Sequence, residues 1–229
     1  MDRRKYPRTY HLPFSPGTTS DDRIAADVSA LFREPVVITE KLDGENTCLN
    51  RFGVFARSHG APTRNPWAAY LQERWRALKG ALGDLELFGE SLYAVHSIEY
   101  TGLDQHYFLF AIRDGERWLS WDDVEAYAAI VDLPTVPVLF RGSVDEAGFR
   151  PLVESLVAAP SAKSNPEVCL SQREGVVARV ARELSDDEFA THVFKWVRKG
   201  HVQTTEHWTR NWRRAPLGYE LLRMKERAR

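Results

Sequence analysis

The sequence predicts an α+β domain whose sheets are mainly antiparallel and flanked by helices. Three observations predict it. Short apolar or β-branched segments come in adjacent runs with helical segments inserted between them, not as a regular strand–helix–strand array. Neither GxGxxG nor GxxxxGK[ST] occurs, so dinucleotide and P-loop folds have no signature here. A chain of 229 residues, 43% hydrophobic and 28% charged, can bury a sizeable core without disulfide or metal staples.

The elements follow in order. Ser20 with Asp21 and Asp22 reads as a helix start, the helix running to about Phe32. VVIT at 36–39 is a buried strand, and Asp43-Gly44 is a turn signal. TCLNRF (47–52), Gly53 and VFAR (54–57) form a hairpin. Asn65-Pro66 opens a helix, with Trp67, Tyr70, Leu71, Trp75 and Leu78 at helical spacing. Strands are expected at 84–89 and 107–112, a helix capped by Ser120 to about Val131, a strand at 136–140 and a helix at 143–158. Residues 159–173 read as loop, and 174–180 and 191–197 as two more strands. Two helices are expected in the tail, from Thr204 or Thr205 and from Pro216.

Composition excludes several classes. No apolar run reaches 18 residues, so no membrane span is expected. The opening MDRRKYPRTY lacks the apolar stretch of a secretory signal. Two cysteines, Cys48 and Cys169, make no disulfide scaffold, lack CxxC spacing for zinc, and fit a reducing cytoplasm. The seven histidines show no HExxH, and no GxSxG occurs. Charge is uneven. Residues 195–229 carry ten Lys/Arg against three acids, a net +7, which leaves −8 on residues 1–194 of the total −1. That tail reads either as a local polyanion contact or as a solvated helical face.

The densest chemistry lies in Glu40-Lys41-Leu42-Asp43-Gly44-Glu45-Asn46. A lysine closing a buried strand sits in low dielectric, which lowers its pKa, and neighbouring cations lower it further. A depressed ammonium is what a nitrogen nucleophile requires. The alternative is a simple Asp-Gly hairpin turn with Lys41 exposed beside it.

That string resembles motif I of the covalent nucleotidyltransferases, the superfamily of DNA ligases, RNA ligases and mRNA capping enzymes. Further motifs follow in the same order. Arg57-Ser58-His59-Gly60 resembles motif Ia, Phe88-Gly89-Glu90 motif III, and Tyr107-Phe108-Leu109-Phe110 motif IIIa. Glu174-Gly175-Val176-Val177 resembles motif IV and Phe194-Lys195-Trp196 motif V. The Tyr6–Pro13 opening, Gly44-Glu45-Asn46 and the Arg-Ser-His-Gly run are most similar to the ATP-dependent RNA ligases.

The resemblance implies an ATP-grasp-like nucleotidyltransferase domain over residues 1–200, with 201–229 as a short basic helical extension. About 30 residues follow Lys199, too few for the C-terminal OB barrel of DNA ligases and capping enzymes. Lys41 is implied as the nucleophile on the α-phosphorus of ATP, forming lysyl-AMP. Glu40 is implied near the adenine amino group, and Asn46 at the nucleotide or the attacking RNA end. Arg57 and Lys195 supply positive charge to the phosphates and help to keep Lys41 deprotonated. Glu90 accepts from ribose hydroxyls. Phe108 and Phe110 share one strand face, and Phe110 stacks on adenine. Glu174 holds Mg²⁺ or Mn²⁺. Motif V departs from the superfamily pattern, because Val197 stands where a second lysine is common; Arg198 or Lys199 takes that role, or the role is absent. The implied substrates are RNA 5′-phosphate and 3′-hydroxyl ends, with an end-healing protein as possible partner. The remaining alternatives are an RNA adenylyltransferase, a minimal DNA ligase and a non-catalytic RNA-binding module.

Overall fold

A computed structural model describes residues 5–57, 60–200 and 208–228. In chain order these fold as β1 (Tyr10–His11), α1 (Ala30–Arg33), β2 (Val36–Lys41), β3 (Glu45–Asn50), β4 (Gly53–Ala56), α2 (Ala69–Leu78) and β5 (Glu86–Ser91). There follow β6 (Tyr107–Asp114), β7 (Arg117–Trp118), α3 (Trp121–Ile130), β8 (Val138–Gly142) and α4 (Glu146–Ala158). The chain continues through β9 (Gly175–Val180), β10 (Leu184–Ser185), α5 (Phe189–His192), β11 (Val193–Val197) and α6 (Gly218–Arg227).

The strands build two sheets. One has the order β1-β11-β9-β2-β8, the other β10-β7-β6-β5-β3-β4. Every pairing is antiparallel except that of β1 with β11. The expected α+β class and antiparallel pairing are therefore what the chain adopts. One core cluster packs Leu87, Leu109 and Ile112 of the second sheet against Trp121 and Val124 of α3. The other packs Ile38, Ala178 and Phe194 of the first sheet against Phe149 and Val153 of α4. Each fully buried Leu, Ile, Val or Phe side chain among these contributes about 1.5–3 kcal/mol of apolar burial.

Local signals placed most elements. Ser120 caps α3, its hydroxyl accepting from the Asp123 N–H at 3.2 Å, and Asp145 caps α4 through the Gly148 N–H at 2.8 Å. Pro66 opens a 3₁₀ turn that leads into α2.

The helix expected over 20–32 is a correction: only Ala30–Arg33 is helical. The Asp22 carboxylate turns back to the Thr19 N–H and hydroxyl, at 3.1 and 2.9 Å. Backbone pairing with β1 then holds the next residues extended, through His11 N–H to Arg23 O and Ala25 N–H to His11 O, each 2.8 Å. A tertiary ladder thus overrides the helix-start signal.

The Asp-Gly segment is no hairpin turn either. It carries the chain from β2 in the first sheet to β3 in the second. Asp43 pins that crossing, accepting the Ser97 and Ile98 N–H groups at 2.8 Å each.

In the tail, the expected helix start at Thr204 or Thr205 lies outside the described residues. Trp208–Arg210 form a 3₁₀ turn, and the second helix is α6. Arg213 is paired with Glu99 at 2.7 Å and Arg214 with Glu220 at 2.8 Å, so part of the basic charge is matched within the fold.

Candidate active site

Sheet register assembles the site. β2 runs against β9 with Lys41 opposite Gly175, which brings Glu174 alongside Lys41. Thr39 is opposite Val177, and Val177 is opposite Lys195 on β11. Paired residues of an antiparallel sheet share a face. Thr39, Lys41, Val177, Arg179 and Lys195 accordingly border one cleft of about 780 Å³. From the second sheet and its connections, Asn46, Arg57, Glu90 and Phe110 border the same cleft. That volume suits a ligand of nucleotide size.

Close backbone approach explains the motif glycines. A Cβ on Gly44 would lie 2.5 Å from Ser91 O and 2.7 Å from Leu92 Cδ2. A Cβ on Gly175 would collide with the Trp196 carbonyl. Both glycines let strands meet tightly beside Lys41.

The Lys41 side chain is 28% exposed, and its Nζ donates to both Glu174 oxygens, at 2.7 and 2.8 Å. Burial pushes the ammonium pKa down, but the Glu174, Glu90 and Asp43 carboxylates outweigh it, and the net shift is upward. This corrects the expectation of a depressed lysine. Cations near the site do not dominate Lys41; acids do.

Glu90 lies opposite Asn46 in register and accepts the Gly44 N–H at 3.0 Å. Burial, against the pull of Lys41 and with help from Glu174 and Asp43, pushes its carboxyl up to about 8. The Lys195 Nζ lies 3.2 Å from Asp22 Oδ1. Burial lowers its pKa below the ordinary lysine value, although Asp22 opposes the shift. Arg57 is exposed at the cleft, tied to β3 by its N–H to Asn46 O at 3.1 Å. Ser58 and His59 of the expected motif Ia lie outside the described residues.

In β6, Phe108 pairs with Glu90, Leu109 with Gly89 and Ala111 with Phe88, leaving Phe110 as a bulge residue. Phe108 is fully buried, with the Lys163 ammonium 4.4 Å from its ring centre, while Phe110 borders the cleft. Glu40 also borders the cleft; its side chain is 0% exposed, and strand alternation puts it on the face of Ile38. There it accepts the Ala162 N–H at 2.8 Å and pairs with Arg173 Nε at 3.3 Å. Neither Arg198 nor Lys199 lines the cleft, so the second motif V cation is not found there among the described residues.

Sequence reasoning missed Asp22, Tyr6 and Arg179, which all border the cleft. Tyr6 packs edge-on to Phe110 at 5.0 Å and also against Phe88, Trp118 and Phe189. Arg179 is buried and donates to Leu119 O at 2.8 Å. The alternation of β9 carried the signal for Arg179, two residues beyond Val177. Tyr6 opens the Tyr6–Pro13 string noted in the sequence, but that string gave it no role.

Among the described residues no group of three His, Cys, Asp or Glu could hold a metal ion. Glu174 offers one carboxylate. Mg²⁺ is commonly held by one or two carboxylates with waters and substrate phosphates, so this donor set fits such an ion beside a bound triphosphate.

A family model described as RNA ligase matches residues 34–197. Comparison with curated proteins gives no match. Among solved structures, an archaeal ATP-dependent RNA ligase is similar with a TM-score of 0.54 and 16% identity, over 85% of this chain and 48% of that one. A Naegleria gruberi RNA ligase variant, solved with ATP and Mn, has a TM-score of 0.57 and 17% identity, over 85% and 56%. A putative ATP-dependent DNA ligase from Aquifex aeolicus has a TM-score of 0.51 and 20% identity, over 86% and 50%. The chain thus spans about half the length of these proteins, and the likeness is one of fold.

Proposed function

The chain belongs to the RNA ligase family, and on that premise we propose that it is an ATP-dependent RNA ligase acting through a lysyl-AMP intermediate. One observation carries the reading: a partly exposed amine, Lys41 Nζ, borders a nucleotide-sized cleft and is paired with Glu174, with Glu90 on the cleft and Lys195 on the same sheet face. The two relatives solved as RNA ligases, one with ATP and Mn, support the choice of nucleotide and ion.

In this reading the Lys41 ammonium first loses a proton to solvent and parts from Glu174. Its lone pair attacks the α-phosphorus of ATP; the N–P bond forms, the bond to the bridging oxygen breaks, and pyrophosphate leaves. The AMP then passes to an RNA 5′-phosphate oxygen, which restores the lysine. Attack by a 3′-hydroxyl joins the ends and expels AMP. Lys195 and Arg57 neutralise phosphate charge, Glu90 meets the ribose hydroxyls, Asn46 the nucleotide or RNA end, and Phe110 the adenine face. A divalent cation on Glu174 would add positive charge at the phosphates. Glu40 takes the role of a buried support for the end of β2.

Residues 1–200 form the adenylation unit in this proposal and 201–229 an extension. The described part of the extension meets that unit through Val95 N–H to Arg213 O and Ala215 N–H to Tyr93 O. Neither Cys48 nor Cys169 is in a disulfide, in keeping with the reducing, cytoplasmic setting of this proposal, and no helix among the described residues is long and apolar enough to cross a membrane. An end-healing protein is the partner class that would supply 5′-phosphate and 3′-hydroxyl ends.

The test is incubation with ATP labelled at its α-phosphate. The parent acquires covalent label and Lys41→Ala does not. Absence of label in the parent overturns the reading, and RNA binding without label points to a binding module. Nicked RNA, nicked DNA and single strands then identify the acceptor. Accumulation of adenylated ends without joining identifies an adenylyltransferase.

A further inference from the structure

We propose that Asp22 is a positioning residue that aims the Lys195 ammonium at the phosphates of the bound nucleoside triphosphate. The inference rests on the adenylation reading above and extends the machinery into the segment before β2, outside every motif in the sequence.

The geometry begins with β1, whose His11 lies opposite Lys195 on β11. The chain then loops out and returns beside β1 at Arg23–Ala25, which sets Asp22 at the rim of the cleft. The Asp22 carboxylate is fixed from two sides. Its Oδ2 accepts both the N–H and the hydroxyl of Thr19, at 3.1 and 2.9 Å. Its Oδ1 lies 3.2 Å from Lys195 Nζ and 3.2 Å from His11 Nε2. His11 is 1% exposed, and its Nδ1 lies 2.8 Å from Ser15 Oγ, which accepts the Val197 N–H at 2.9 Å. A polar chain thus runs from the backbone of β11 through Ser15, His11 and Asp22 back to the side chain of β11.

A lysine has a flexible four-carbon stem and three N–H donors. Asp22 engages one donor and leaves the others for phosphate oxygens. Ordering the stem before the nucleotide arrives removes part of the entropy lost on binding. An ammonium on a freely rotating stem would reach the phosphates in only a fraction of its rotamers.

The test is a double-mutant cycle on the full chain with Asp22→Asn, Lys195→Met and the pair. Two quantities are read: the dependence of covalent labelling on ATP concentration, and calorimetric binding of an ATP analogue with a methylene between its α- and β-phosphorus atoms. Asp22→Asn raises KM and weakens analogue binding by about tenfold, the loss of one charge-assisted contact, with a smaller change in kcat. Asp22→Glu recovers part of it. In the Lys195→Met background Asp22→Asn has no further effect. Multiplying effects in the pair, or tighter analogue binding by Asp22→Asn, overturn the proposal. Thr19→Val removes only one tether of Asp22 and repeats the cycle if Asp22→Asn melts early. If the parent binds the analogue but is never labelled, the ligase reading fails, while the cycle on binding still decides the role of Asp22.

Discussion

The Lys41 ammonium is held by both oxygens of Glu174, a residue 133 positions away in sequence, at 2.7 and 2.8 Å. Because this pair raises the lysine pKa, the amine stands protonated and turned to its partner. Nucleophilic attack therefore requires the Glu174 oxygens to be engaged elsewhere. Glu174→Gln should lower the rate of covalent labelling by about a hundredfold, the usual loss on removing one group that stabilises developing charge. Chelating divalent ions should produce a loss of at least that size in the parent and add little to the variant. Equal sensitivity of both proteins to chelation would separate Glu174 from the ion.

Glu90 makes stability depend on pH. Its carboxyl is pushed up to about 8 from an ordinary 4.5, chiefly by burial. Below 4.5 the group is protonated in folded and unfolded chains alike, and nothing is lost. Between 4.5 and about 8 the unfolded chain releases the proton while the fold retains it, so stability falls as pH rises. Glu90→Gln removes this titration and can still accept from the Gly44 N–H. Thermal melts of the two proteins should coincide near pH 4.5. The variant should gain on the order of 4–5 kcal/mol over the parent at pH 8–9. A gap that does not change with pH would show that the carboxyl does not titrate in this range.

Gly44 tests the tight crossing between the sheets. An alanine methyl there would sit 2.5 Å from Ser91 O and 2.7 Å from Leu92 Cδ2, so Gly44→Ala must push β3 away from the end of β5. Overpacking of this kind costs about 1–3 kcal/mol. The same shift moves Glu90 relative to Lys41, so labelling should fall even at temperatures where circular dichroism shows the variant folded. Gly80→Ala, where an added methyl meets nothing within 4 Å, should leave both melting and labelling unchanged.

Strand positions were legible because the β-branched run at 36–39 and the apolar runs at 107–112 and 174–180 carry their own periodicity. The candidate residues Lys41, Glu90, Phe110, Asn46, Arg57 and Lys195 were named from motif order, and all of them border one cleft. What escaped the sequence depends on register and on side-chain partners. The ionisation of Lys41 follows from pairing with Gly175, which no local pattern encodes. The bulge that leaves Phe110 unpaired on β6 follows from its register with β5. The false helix at 20–32 looked sound locally, since Ser-Asp-Asp does favour a cap, but Asp22 is engaged by Lys195 and Thr19.

The orientation of Glu40 gives a prediction that separates support from contact. Glu40 and Arg173 have side chains 0% and 5% exposed, and Arg173 also donates to Pro160 O at 2.9 Å and to Leu156 O. Removing one partner of such a buried pair leaves the other charge uncompensated and costs about 3–5 kcal/mol. The Arg150–Glu154 pair is closer, at 2.7 Å, but its side chains are more than half exposed. Its loss costs about 0.3–0.5 kcal/mol. Denaturant melts should therefore show a large shift for Glu40→Ala and almost none for Arg150→Ala. Combining Glu40→Gln with Arg173→Met removes both charges and should recover much of that stability, together with normal preference for ATP over inosine triphosphate. If the double variant is stable but no longer distinguishes the two nucleotides, Glu40 contacts the base after all, and its place behind the strand is not its working position.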